Sequence, residues 1–221
     1  PHFFTQDELS AFFKECDSYV IRSYQERRCI TTLLNRLQLP VYFRLLYSSG
    51  MRTCEVRWLK CSNVNFESGI VKIIKSKSID EHGIVLHDSM LQLLQCYNQA
   101  MEKVMPNRIY LFPDMKDEPH KTRWGCTFFN KIWSKVSKEK AVEYDLRSFY
   151  AISNISKWED HGYELSGKLL FLSRSMGHRN IQSTFGYFHL TPMLTDKLKC
   201  NCAKKFSELL PQKPEYNEEN I

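Results

Sequence analysis

One short island of β-branched residues stands in a chain whose apolar spacing is otherwise helical, and it constrains the fold more than any other feature. Ile70-Val71-Lys72-Ile73-Ile74 and Ile84-Val85-Leu86 carry residue types that favour strands, with breakers at Glu67-Ser68-Gly69 and from Asp80 to Gly83. The pattern predicts three short strands, Ser62 to Phe66, Gly69 to Lys75 and Gly83 to His87, forming a small antiparallel sheet. Before them, Thr5-Gln6-Asp7-Glu8 has capping-box spacing ahead of Leu9, Phe12 and Phe13, so a helix starts there. A helical region follows over about 21–37, and Pro40 suits the first turn of another helix through Phe43, Leu45 and Leu46, closed by Ser48-Ser49-Gly50. Met51 to Lys60 reads as a short helix. After the strands, helical spacing resumes at Ser89 with Leu91, Leu93, Leu94 and Tyr97, and further helices are expected at about 121–137, 146–158, 164–175 and 180–188. The expected fold is α+β and mainly helical.

A chain of 221 residues is long enough to bury a core as one large domain, and 43% hydrophobic with 25% charged residues argues against disorder or a fibrous repeat. The formal net charge is +6, and the last nine residues hold one lysine against three glutamates, so the body is more basic than the total. That excess favours an anionic partner only weakly. No stretch approaches the roughly 20 apolar residues of a membrane span, and no signal-peptide pattern is present, so a cytoplasmic protein is expected. The eight cysteines, at 16, 29, 54, 61, 96, 126, 200 and 202, form no C-x-x-C pair, and most are expected to be buried, reduced thiols. No metal or cofactor is expected. The start at Pro1 suggests an upstream segment, and the tail from Lys213, with its glutamates, reads as poorly ordered or partner-binding.

Three segments carry chemistry: Tyr47-Ser-Ser-Gly-Met-Arg-Thr-Cys-Glu-Val56, Tyr144-Asp-Leu-Arg-Ser-Phe149, and Met176-Gly-His-Arg-Asn-Ile-Gln-Ser-Thr-Phe-Gly-Tyr-Phe-His189. Their order and spacing resemble the hallmark motifs of tyrosine recombinases: a T-G-x-R-x-x-E segment, an H-x-L-R segment, and L-G-H followed nine residues later by a tyrosine. His178 and Tyr187 lie nine apart. The opening from Pro1 to Leu9 and the hairpin around Lys77 also look like that family's catalytic domain, and the resemblance runs over about residues 1–190. It implies the DNA breaking-rejoining fold, with residues 191–221 as a C-terminal helix and acidic tail. An upstream domain that clamps the other face of the duplex is then missing from this chain.

The resemblance implies a site-specific recombinase, an integrase or transposase of a mobile element, that joins DNA to Tyr187. Attack on a phosphodiester builds negative charge on non-bridging oxygens, and two guanidinium forks, Arg52 and Arg147, can hold them. Glu55, one turn beyond Arg52, can orient it. His178 matches the family position that donates to the scissile phosphate, and Lys77 the hairpin lysine that protonates the leaving 5′ oxygen, with Lys72 and Lys75 as rivals. Tyr187, whose unperturbed phenol has a pKa of about 10, needs nearby cations or a base for activation. Tyr144 stands where the family usually has histidine, and a phenol near neutral pH is a poor base. Ser49 for threonine and Met176 for leucine are milder departures. His189, His161, His120, His87 and His82 read as surface or DNA-contacting.

The implied partners are double-stranded DNA and three further copies in a tetramer on paired sites. The segment from Thr191 to Leu210 either passes between subunits or packs on its own domain. Two other readings stay open: a recombinase relative that grips DNA without cutting, suggested by Tyr144, and a type IB topoisomerase, which shares the tyrosine chemistry.

Overall fold

A computed structural model describes residues 1–19, 30–74, 81–158 and 163–187. Helix α1 (Gln6–Asp17) opens on the expected capping box: the Glu8 amide donates to Thr5 Oγ1 at 3.2 Å, and the Thr5 amide donates to the Glu8 carboxylate at 2.9 Å. Its apolar stripe of Leu9, Phe12 and Cys16 lies against α2 (Ile30–Ser49) and α5 (Arg123–Val136), where Phe12 meets Phe43 and Phe129 with ring centroids 5.3 and 5.1 Å apart. α2 is buried along most of its length, with Leu34, Leu39, Tyr42, Phe43, Leu45 and Leu46 at 1% exposure or less. The main core forms around it.

Pro40 corrects one expectation. It lies inside α2 rather than opening a separate helix. A proline removes one amide from the helical ladder, but buried apolar residues on both sides of it hold the helix together, and packing outweighs the local rule. Residues 20–29, part of the expected 21–37 helix, lie outside the described set.

The sheet is smaller than expected. β1 (Ile70–Ile73) and β2 (His82–Val85) pair antiparallel in the register Ile70↔Val85 to Ile73↔His82. The third strand expected over Ser62 to Phe66 is a 3₁₀ turn at Cys61–Asn63 followed by one bridge, Val64↔Val71. Asn65 explains the loss: its side-chain oxygen accepts the amides of Glu67 and Ser68, each at 2.9 Å, and curls the chain where a ladder would need it extended.

The remaining α-helices among the described residues are α3 (Thr53–Arg57), α4 (Asp88–Val104), α6 (Asp145–Lys157), α7 (Tyr163–Ser175) and α8 (Gln182–Phe185). α8 is a single turn, shorter than the expected 180–188. Ala151 and Ile155 of α6, Leu172 of α7 and Met176 form a second, smaller core. The result is a mainly helical α+β fold with a two-stranded antiparallel sheet. Among the described residues, no helix is long and apolar enough to cross a membrane.

The thiols are less buried than expected. Of those described, Cys16 is buried, Cys54, Cys61 and Cys126 are half-buried and Cys96 is exposed, all free. Burial pushes the Cys16 thiol up. Cys29, Cys200 and Cys202 lie outside the described residues.

Candidate active site

Two glycine turns and one helix start build the site. α2 stops at Gly50, whose φ of 65° is left-handed and where a Cβ would strike the Tyr150 ring. The turn leaves Arg52 as the N-cap of α3. Glu55, its side chain fully buried, accepts the Arg52 amide at 2.7 Å and Arg52 Nη1 at 2.6 Å. The carboxylate therefore fixes both backbone and guanidinium of the same residue.

Arg147, in the first turn of α6, is 1% exposed. Its Nη1 donates to the Gly50 carbonyl at 2.5 Å, and its Nη2 donates to the Met176 carbonyl at 2.8 Å and to His178 Nε2 at 2.9 Å. Arg52 Nη2 in turn donates to the Gly177 carbonyl at 2.7 Å. Each arginine thus holds the turn that carries another member of the group: Arg147 the one before Arg52, and Arg52 the one before His178. Among the described residues no carboxylate forms an ion pair with Arg147, whereas Arg52 is paired with Glu55. Carbonyls satisfy hydrogen bonds without cancelling charge, so the field of Arg147 is left for an anion.

His178 follows Gly177, whose φ is 62°. Its Nδ1 lies 2.7 Å from Thr184 Oγ1. Burial lowers its pKa to about 4, and the charges of Arg147, Arg52 and His82 add to the shift, so the ring is neutral at pH 7. The Tyr187 ring lies nearly parallel to it, with centroids 6.2 Å apart and planes at 13°. The Tyr187 ring packs on the second core, and its phenol lies close enough to Arg147 and Tyr144 for both to act on its ionisation. Burial raises the Tyr187 pKa and the Tyr144 phenol raises it further, while Arg147 opposes both.

Arg52, Glu55, Tyr144, Arg147, His178 and Tyr187 are therefore brought together from three parts of the chain. Tyr144 is 48% exposed, three residues before Arg147 and so on the same side of the start of α6. Lys77 and its rival Lys75 lie outside the described residues. Lys72 is on β1, exposed, on the face opposite buried Val71 and Ile73.

Two histidines expected at the surface are not there. His120 is 8% exposed, stacked on Trp124 with ring centroids 3.9 Å apart, and its Nε2 is 2.6 Å from Gln38 Oε1. The His82 side chain is 7% exposed, with Nε2 4.0 Å from Glu55 Oε2, and a Cβ on Gly177 would fall 2.5 Å from its Cε1. His82 therefore belongs to the site, and the sequence reading missed it. Period-two alternation was the available signal, because His82 shares a strand face with buried Ile84. His87 caps α4 at the surface, as expected, while His161 and His189 lie outside the described residues. Thr184 was also missed, and nothing in its neighbourhood marks it out. One group among the described residues has metal-like spacing, His2, Glu8 and Glu139, and it shares no member with the arginine cluster.

The sequence matches the model of the phage integrase family over residues 2–193. The chain belongs to that family. Among integrase-family relatives it is similar to the tyrosine recombinase XerC of Staphylococcus saprophyticus, 24% identical over 193 residues, covering 86% of this chain and 58% of that protein. Among solved structures, XerA recombinase superposes with a TM-score of 0.69 at 16% identity, covering 96% of this chain and 66% of the other. XerH recombinase bound to a palindromic difH substrate, in a post-cleavage complex, gives 0.64 at 18% identity, covering 90% and 52%. The integrase-family fold is thus the tyrosine recombinase catalytic-domain fold, and the chain spans a little under three-fifths of the XerC relative's length.

Proposed function

We propose that this chain is the catalytic part of a site-specific DNA recombinase, an integrase or transposase of a mobile element, that cleaves and rejoins DNA through a 3′-phosphotyrosine bond at Tyr187. One observation carries the reading: the Tyr187 phenol sits in the field of a buried guanidinium that has no carboxylate partner among the described residues. A scissile phosphate there would receive donors from Arg147 and Arg52 as charge grows on its oxygens, each worth about 2.7 to 4 kcal/mol in the transition state. The arriving phosphate would draw Arg147 away from His178 Nε2, and the imidazole could then donate to a phosphate oxygen. Lys77, which follows β1 in the sequence, is assigned the leaving 5′ oxygen. The tyrosyl ester conserves the energy of the broken bond, so rejoining needs neither ATP nor a metal.

Double-stranded DNA is the proposed partner, with four copies acting on paired sites and an upstream domain completing the grip on the duplex. The match between this chain and DNA-bound XerH supports the DNA partner. A second reading, a relative that binds without cutting, draws on Tyr144, whose phenol raises the pKa of Tyr187 where a histidine could have drawn off its proton. A suicide substrate, nicked close to the cleavage site at the ends of the mobile element, separates the two. The cleaving reading expects a covalent adduct that vanishes in Tyr187→Phe while DNA binding persists. Binding without an adduct would leave the non-cutting relative, and relaxation of supercoiled DNA without sequence preference would point to topoisomerase chemistry instead.

A further inference from the structure

His178 is held from both sides, and only one side has been given a role. Arg147 Nη2, 2.9 Å from Nε2, can only donate, so in the phosphate-free protein Nε2 accepts and the single ring proton sits on Nδ1. Nδ1 then donates to Thr184 Oγ1, 2.7 Å away. Thr184 is fully buried and sits on α8, and its carbonyl accepts the backbone amide of Tyr187 at 3.1 Å. The residue that grips the imidazole therefore also anchors the turn presenting the tyrosine.

A neutral imidazole that donates to phosphate through Nε2 needs the opposite tautomer, with Nδ1 bare and in want of a donor. We propose that Thr184 is a positioning residue whose hydroxyl serves both tautomers of His178, accepting from Nδ1–H when the phosphate site is empty and donating to bare Nδ1 when an oxyanion takes Arg147 and engages Nε2–H. A threonine hydroxyl has one donor and two acceptor lone pairs, so rotation about its Cβ–Oγ1 bond is enough. The hydroxyl keeps its own proton throughout. The ring loses one proton from Nδ1 to water and gains one at Nε2 from water, so the count is unchanged. The burial and neighbouring cations that keep this ring neutral make the choice one between tautomers rather than between charges. The inference rests on the proposed phosphate site at Arg52, Arg147 and His178, and it is independent of whether Tyr187 cuts.

The test uses ¹⁵N-histidine-labelled chain, inorganic phosphate as the probe, and long-range ¹H–¹⁵N correlation to read which ring nitrogen of His178 is protonated, the signal being assigned by its loss in His178→Gln. The free protein is expected to show Nδ1–H and the phosphate-loaded protein Nε2–H. Thr184→Ser should switch as the unsubstituted chain does. Thr184→Val, which keeps the shape and leaves buried Nδ1 without a partner, should need roughly 10- to 100-fold more phosphate. A ring that keeps its Nδ1 proton at every phosphate concentration overturns the proposal, even if Thr184→Val fails to fold. A Thr184→Val protein that switches at the unsubstituted chain's concentration overturns it too. A normal tautomer switch with no adduct on the suicide substrate would refute the cleavage assignment alone.

Discussion

His178 and His120 refuse protons mainly because both are buried, the first beside Arg147 and Arg52, the second against Trp124 and near Arg57. Both pKa values fall from 6.5 to about 4. In the unfolded chain the same imidazoles take protons as pH drops below about 6.5, so between that point and about 4 the unfolded state binds more protons and stability declines with falling pH. The thermal midpoint should therefore drop on acidification through this window, and His120→Gln, which removes one of the two groups, should flatten the slope. Circular dichroism melts of both proteins at matched pH values check this, and parallel slopes would contradict it. At this scale the motif residues were legible because their spacing is local and distinctive. His82 was not, since its burial comes from the docking of β2 against the α7 region and the Gly177 turn, far away in sequence. Tyr144 was seen as a departure, but its effect on the Tyr187 phenol needed coordinates.

Turns and helices carry a different lesson, best drawn from two glycines. Gly177 has a left-handed φ and leaves no room for a methyl group beside His82 and Arg52 Nη1, so Gly177→Ala should both destabilise the fold and abolish the proposed cleavage. Gly167 lies within α7 with nothing among the described residues within 4 Å of where a Cβ would sit, so Gly167→Ala should raise stability by about 0.5 to 1 kcal/mol. Urea titration of the two variants gives shifts of opposite sign if this is right. Strongly periodic helices such as α4 and α5 were read from spacing nearly to their ends. Pro40 and the Ser62 to Phe66 stretch were misread because local preference was trusted where burial in one case, and the Asn65 side chain in the other, decided the outcome.

Across the whole molecule, two cores of unequal size divide the work. α1, α2, α4, α5 and the two strands share the large one, while the outer half of α6, α7 and Tyr187 rest on the small one, which has four buried residues among those described. Less buried apolar surface means a lower cost of local opening, so native-state hydrogen exchange should show α7 amides opening at lower free energy than those of α2. Identical opening energies would mean that the cross-links from Arg147 to Met176 and from Arg52 to Gly177 fuse the two into one cooperative unit. The α+β class and its helical majority were legible as a whole, because they follow from many weak local signals in agreement. The division into two cores was not, since it depends on which helices meet.

A buried positive charge with no carboxylate partner among the described residues also governs how the protein behaves at the bench. Arg147 should draw in a small tetrahedral anion, so sulfate in a crystallisation drop or vanadate in an assay is expected to compete for the proposed phosphate seat. Affinities measured in sulfate buffers will then read weaker than those in chloride of equal ionic strength, through occupancy rather than screening.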